Sequence, residues 1–223
     1  MNKYTIITAG GTGTRMKSDV PKQFLLLKGR PILMHSIERF FIYNNSIKII
    51  ISLPEEFISY WEELCKKYSF NIKYTIVKGG KTRFYSIQNA LKEVANGGLV
   101  TVHDAVRPLV SIKTIENTFN VAEINGNAIA SRDIFFSVRK VEELKNYAVN
   151  RNDYKEIQTP QTFKSELLKE AYSTDFEKKF TDDATVVEKL GVKINLVEGN
   201  PENIKITTKN DLIIAEALLN CIG

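Results

Sequence analysis

Thr5-Ile6-Ile7-Thr8-Ala9-Gly10-Gly11-Thr12-Gly13-Thr14-Arg15-Met16 is a short β-branched run that empties into a glycine-rich turn. Without a Cβ, backbone N–H groups can close on phosphate oxygens, so a strand ending this way predicts the opening of an α/β nucleotide-binding unit. Two familiar phosphate loops nearly fit, and both fail at Met16. A Walker A loop needs glycine there, before Lys17-Ser18, and the dinucleotide fingerprint starting at Gly11 needs a small residue at the same place. The turn therefore serves a different nucleotide geometry.

Outward from this turn, apolar runs alternate with helical periodicity. Residues 4–8, 47–52, 72–77, 99–103 and 128–130 read as strands apolar enough to be buried on both faces. Between them, 32–41, 55–68, 83–94 and 114–122 each carry an apolar stripe and a polar face. This predicts an α/β fold: an open, mostly parallel twisted sheet with helices on both faces, Rossmann-like, as one domain over residues 1–223. Ligands in such sheets bind beyond the carboxyl ends of the strands, which selects the loops after Thr8, Val77 and His103. Residues 132–158 break the alternation and read as a protruding β-hairpin arm with a charged turn at 142–146. Phe135, Phe136, Tyr147 and Tyr154 on an isolated ribbon need cover, so the arm predicts a homodimer formed through it. After Pro160 the chain is expected to return to helix. Thr181-Asp182-Asp183 should then cap a helix through Lys189, and 192–197 should form a further strand.

Composition removes several function classes. Hydrophobic residues make up 43% and charged residues 26%, the balance of a chain that buries a core. No apolar stretch approaches the roughly 18 residues of a membrane helix and the amino terminus offers no signal-peptide core, so a cytoplasmic location without membrane attachment is expected. Two cysteines and two histidines cannot build a disulfide framework or a histidine or cysteine metal site, which leaves carboxylates for a hard cation. Thirty-one basic against 26 acidic residues give a formal charge of +5, favouring anionic partners. The surplus is dispersed, so no nucleic-acid footprint is expected.

Chemistry concentrates in three loops. Arg15, Lys17 and Pro21-Lys22-Gln23 flank the first, where two cations can neutralise charge on a phosphorus under in-line attack. Asp104, in His103-Asp104-Ala105-Val106-Arg107-Pro108, stands where a Mg²⁺ bridging triphosphate oxygens would sit; it could equally cap a turn or pair with Arg107. Gly79-Gly80 opens a helix, so its backbone could approach a base or ribose and Ser86 a base edge, or the glycines form only a turn with Thr82 as N-cap.

Taken together, Ala9 to Met16 with Pro21-Lys22-Gln23, Gly79-Gly80-x-x-Arg83-x-x-Ser86, His103 to Pro108, Gln158-Thr159-Pro160-Gln161 and Asn203-Ile204-Lys205-Ile206-Thr207 resemble the 2-C-methyl-D-erythritol 4-phosphate cytidylyltransferase family over nearly the whole chain. The resemblance implies transfer of CMP from CTP to a sugar-alcohol phosphate with release of pyrophosphate, with Mg²⁺ as cofactor, in the non-mevalonate isoprenoid pathway. It implies that Arg15 and Lys22 are catalytic and that Ala9, Gly10, Gly11, Thr12, Gly13, Gly79, Gly80 and Ser86 hold CTP. It further implies that Asp104, Arg107, Ser137, Arg151 and Lys205 surround the acceptor, with Ser137 standing where threonine is commoner. The family's arm swaps between subunits, which would carry Ser137 and Arg151 to a neighbour's site. Ribitol-5-phosphate cytidylyltransferases share most of these motifs. Ser86 and Thr181-Asp182-Asp183-Ala184 favour methylerythritol phosphate over ribitol phosphate. A non-catalytic nucleotide- or nucleic-acid-binding protein on the same fold is the remaining alternative.

Overall fold

The computed structural model describes residues 1–11 and 20–222. In chain order the strands are β1 (Asn2–Thr8), β2 (Leu26–Leu27), β3 (Arg30–Pro31), β4 (Lys48–Leu53), β5 (Thr75–Lys78), β6 (Gly98–Asp104), β7 (Asn127–Asp133), β8 (Arg139–Glu142), β9 (Lys145–Ala148), β10 (Lys155–Lys164) and β11 (Leu196–Glu198). The helices are α1 (Ile32–Tyr43), α2 (Ile58–Lys67), α3 (Arg83–Ala90), α4 (Ile112–Asn125), α5 (Ser165–Ala171), α6 (Asp183–Glu188) and α7 (Lys209–Ile222). Seven strands form one sheet in the order β11-β7-β10-β6-β1-β4-β5.

Every lateral pairing among β6, β1, β4 and β5 is parallel, as the strand–helix alternation predicts. Alternate side chains of these strands enter two cores, because helices cover both faces. Ile7, Ile49, Ile51 and Leu99 join Leu33, Phe40, Trp61 and Phe119 on one side. Ile6, Ile50, Val100 and Val102 join Phe84, Ile87, Leu168 and Val187 on the other. A third cluster, with Leu27, Ile32, Val106, Ile206 and Ala215, fastens α7 behind the carboxyl edge.

Several boundaries differ from the sequence reading. The chain does not return to helix at Pro160: β10 continues to Lys164 and lies antiparallel between β6 and β7. A proline inside a central strand deprives it of a ladder donor. The register shift between Ile157 and Gln161 absorbs that loss on the β7 side. Strand β5 starts at Thr75, not residue 72, and the preceding Tyr74 packs its ring near Trp61 and Phe70. Residues 55–57 and 91–93 are single 3-10 turns attached to α2 and α3. Strand β11 is confined to Leu196–Glu198, while β7 extends to Asp133. The arm is two-tiered: β7 and β10 pair through Asp133 and Lys155, and beyond them β8 and β9 form a separate ribbon turning at Glu143, whose φ is 48°. Phe135 and Phe136 are 66% and 83% exposed at its base, and Tyr147 and Tyr154 are also exposed.

Candidate active site

Register aligns the ends of the strands that matter. Thr8 pairs with Ser52 on one side and with Asp104 on the other, so β1, β4 and β6 stop at one level. Backbone bonds then lead each loop out of the sheet: Ala9 N–H donates to the Ser52 carbonyl (2.9 Å), Ala105 N–H to Thr8 (3.1 Å), and Gly79 N–H to Leu53 (2.7 Å). The loops enclose a cleft whose wall includes Ala9, Gly10, Gly11, Lys22, Gly80, Lys81, Arg83, Ser86, Asp104 and Lys205. Three sequence motifs far apart in the chain thus meet where parallel-sheet topology places ligands.

Lys22 opens the turn Lys22–Phe24, and the buried Gln23 beside it donates from Nε2 to the Ala9 carbonyl at 2.6 Å. That bond fastens the lysine's backbone to the end of β1. A Cβ on Gly11 would sit 3.5 Å from Lys22 Cε, so the lysine stem runs directly over the glycine turn. Thr12, Gly13, Arg15 and Lys17 lie outside the described residues.

On the far wall, Gly80 N–H donates to Ser86 Oγ at 3.0 Å, and that hydroxyl donates to the Thr82 carbonyl at 3.0 Å. Ser86 therefore shapes the loop as well as facing the cleft. Thr82 occupies the N-cap of α3 without a side-chain capping bond. A Cβ on Gly80 would stand 2.3 Å from Tyr85 Cβ, a contact no side chain tolerates, so only glycine lets the loop fold this tightly against α3.

Asp104 is 6% exposed and surrounded by cations. Lys205 Nζ lies 2.9 Å and Arg107 Nε 3.3 Å from Oδ2, and Arg83 Nε lies 3.8 Å from Oδ1. Burial pushes the carboxyl up, but Lys205, Arg83 and Arg107 together outweigh it and hold it well below the usual carboxylate range. Arg107 realises the pairing that the sequence left open and does not line the cleft; its NH1 donates to the Asn203 carbonyl at 2.7 Å. Asn203 Nδ2 in turn donates to the Thr159 carbonyl at 2.7 Å, and Ile206 N–H to Val106 at 2.9 Å. These bonds bring the Gln158–Gln161 and Asn203–Thr207 motifs beneath the Asp104 loop.

His103, fully buried, completes the scaffold. Its Nε2 lies 3.0 Å from the Arg107 carbonyl and its Nδ1 3.0 Å from Thr159 Oγ1, which also accepts from Asp104 N–H at 3.2 Å. Burial pushes the imidazole down to about 4, against the raising influence of the Arg107 carbonyl and Asp104, so it stays neutral at pH 7. The sequence places His103, Gln23 and Asp183 within motifs but does not reveal their partners Thr159, Ala9 and Arg83.

No three His, Cys, Asp or Glu side chains gather among the described residues, and among those that line the cleft Asp104 is the one carboxylate that could be offered to a hard cation. Its Oδ1, outside hydrogen-bond distance of Arg83, can offer one oxygen. That suits Mg²⁺, which is commonly bound by one or two carboxylates plus phosphate oxygens and water. Ser137 and Arg151 do not reach the cleft of their own chain. Both are exposed on the arm, where the Arg151 guanidinium donates to the Phe135 carbonyl.

Known proteins bear on this geometry. The family model for 2-C-methyl-D-erythritol 4-phosphate cytidylyltransferase (IspD) matches residues 4–221. The protein of that name from Phocaeicola vulgatus is 47% identical over 219 residues, covering 98% of this chain and 100% of its own. Its counterpart from Porphyromonas gingivalis is 48% identical over 218 residues, covering 97% of each. The crystal structure of 4-diphosphocytidyl-2C-methyl-D-erythritol synthase from Anaerococcus prevotii superposes with a TM-score of 0.83 at 28% identity, over 98% of this chain and 96% of that one.

Proposed function

Because the chain belongs to the 2-C-methyl-D-erythritol 4-phosphate cytidylyltransferase family, we propose that the cleft at the carboxyl edge of β1, β5 and β6 is where its reaction takes place. The enzyme is a nucleotidyltransferase of isoprenoid biosynthesis: it transfers CMP from CTP to 2-C-methyl-D-erythritol 4-phosphate and releases pyrophosphate. One observation carries the assignment of the site. The glycine turn, Lys22, the Gly80–Ser86 loop, Asp104 and Lys205 line a single cleft although they come from four distant segments.

In this reading Ala9 to Gly13, Gly79, Gly80 and Ser86 hold the nucleotide, with the triphosphate along the first loop. An oxygen of the sugar phosphate attacks the α-phosphorus; the new P–O bond forms as the bond to the β-phosphate oxygen breaks and its electron pair leaves with pyrophosphate. A phosphate monoester is largely dianionic near neutral pH, so no strong base is needed. Catalysis then consists of alignment and charge stabilisation by Lys22 and Arg15. Asp104, Arg107 and Lys205 serve the acceptor side, Arg107 by holding the carboxylate rather than by touching substrate. Asp104 Oδ1 is the ligand this chain would supply to Mg²⁺, whose chemistry there would be to shield the triphosphate charge.

The arm is read as the dimer interface, supported by its exposed aromatic side chains at the base of the ribbon. Ser137 and Arg151 then complete the site of the neighbouring subunit. No helix among the described residues is long and apolar enough to cross a membrane, and both substrates are multiply charged phosphates that do not cross a bilayer unaided. The charge of the substrates is the ground on which we place the enzyme in the cytoplasm, where such phosphates are retained.

The assay that tests this function follows pyrophosphate with CTP, Mg²⁺ and one acceptor at a time. Release with 2-C-methyl-D-erythritol 4-phosphate and none with ribitol 5-phosphate is expected; the opposite preference would overturn the acceptor assignment.

A further inference from the structure

Arg83 heads α3 and lines the cleft, but its charge is committed elsewhere. NH1 and NH2 bond to Oδ1 and Oδ2 of Asp183 at 3.0 and 2.6 Å, a two-pronged pair across 100 residues of sequence. Asp183 is completely buried, and Tyr172 donates its hydroxyl to Oδ1 at 2.6 Å. The neighbouring Asp182 is occupied differently: it caps α6 through the Thr185 N–H and receives Gln161 Nε2 at 2.9 Å. Asp183 is therefore not needed as a cap, and no part of the reaction described above uses it.

Its geometry has a direct consequence at Asp104. A guanidinium is planar, so fixing both terminal nitrogens fixes the direction of the third. Arg83 consequently meets Asp104 by Nε alone, 3.8 Å from Oδ1, while Oδ2 is left to Arg107 and Lys205. A guanidinium released from Asp183 would turn its own fork onto Asp104, since paired N–H donors match a carboxylate better than a single distant nitrogen does. That would displace Lys205 and occupy the oxygen open to the cleft.

We infer that Asp183, steadied by Tyr172, is a positioning residue for the acceptor side of the reaction: it grips Arg83 so that Asp104 and Lys205 keep the arrangement that receives the sugar phosphate. The inference rests on the reading above that Asp104 and Lys205 face the acceptor. It gives the α6 amino terminus a role in the chemistry although its residues lie behind the cleft wall.

Steady-state kinetics with each substrate varied in turn, on Asp183→Asn, Tyr172→Phe, Arg83→Gln and the Asp183→Asn/Arg83→Gln double variant, test it. For Asp183→Asn, KM for 2-C-methyl-D-erythritol 4-phosphate should rise about tenfold, and KM for CTP, which meets Asp104 only through Mg²⁺, by a clearly smaller factor. Tyr172→Phe removes one hydroxyl and keeps the ring that stacks on Phe84 with centroids 4.7 Å apart, so it folds even where Asp183→Asn does not. It should shift the same constant by about threefold. The double variant should be no worse than Arg83→Gln alone, because Asp183 acts through Arg83. Equal rises in both KM values, a lowered melting temperature with unchanged constants, or multiplying effects in the double variant would each overturn the inference. A wild-type enzyme that releases no pyrophosphate with this acceptor would remove the functional reading itself, whereas an active wild type with unchanged variants removes only the role of Asp183.

Discussion

Replacing Lys22 by alanine is expected to lower kcat by about two to three orders of magnitude and to leave KM for CTP within about a factor of three. The asymmetry follows from when the charge appears. On the proposed reading the ground-state triphosphate is shared among backbone N–H groups of the glycine turn, so a single amine contributes a modest share of its binding. As the attacking oxygen closes on phosphorus, charge accumulates on the oxygens of one phosphate, and a fixed ammonium stabilises that state more than the bound substrate. Lys22 is suited to this because Gln23 ties its backbone to Ala9 and its stem lies over Gly11, so its backbone is fixed before substrate arrives. The turn itself survives truncation: Phe24 N–H to Pro21 O (2.9 Å) and Leu25 N–H to Lys22 O (3.2 Å) are backbone bonds. An unchanged melting temperature would accompany the kinetic loss. A rise in KM with kcat intact would make Lys22 a binding residue only and overturn its catalytic assignment.

The second large effect is a recovery. Lys22→Ala and Arg151→Ala, each nearly inactive alone at sugar-phosphate concentrations below KM, should regain activity when unfolded together and refolded as a mixture. If the arm of one subunit serves the site of its partner, half of the random dimers are mixed. Each mixed dimer holds one site with both native residues, giving roughly a quarter of wild-type sites in a two-fold symmetric assembly. If the arm served its own chain, every site would lack one residue and the mixture would stay inactive. The prediction rests on position: within one chain Arg151 is exposed, is not part of the cleft wall, and bonds to the carbonyl of Phe135, itself 66% exposed. Such an apolar surface on a ribbon calls for cover.

What the sequence made legible was whatever local periodicity and short-range chemistry determine. Strands β1, β4 and β6 are sandwiched between helices, so their continuous apolar runs stand out, and parallel topology selects the carboxyl edge, where the cleft lies. The arm was legible because residues 132–158 lack a crossover helix. Strand β10 was not, since Pro160 is a breaking signal that only the register shift beside β7 makes tolerable. The site divided in the same way. The Gly80 turn could be read locally, and Asp104 with Arg107 lies within one short motif. The grip of Asp183 on Arg83, the bridge from His103 through Thr159, and the anchoring of Arg107 by Asn203 span 100, 56 and 96 residues, and no local pattern announces a contact across such distances. Neutral His103 illustrates the limit of counting residue types: the count speaks only to metal binding and is silent on the hydrogen-bonded strut that this side chain forms beneath the Asp104 loop.

The central claim is that one cleft, floored by the glycine turn after β1, holds CTP for displacement of its pyrophosphate. A crystal structure with CTP and Mg²⁺ measures this most directly. Nucleotide density is expected with the triphosphate along Gly10 and Gly11, the α-phosphate within hydrogen-bond reach of Lys22 Nζ, and cytidine against Gly79, Gly80 and Ser86. Density for CTP at any other place on the molecule, with this cleft holding none, would contradict the account.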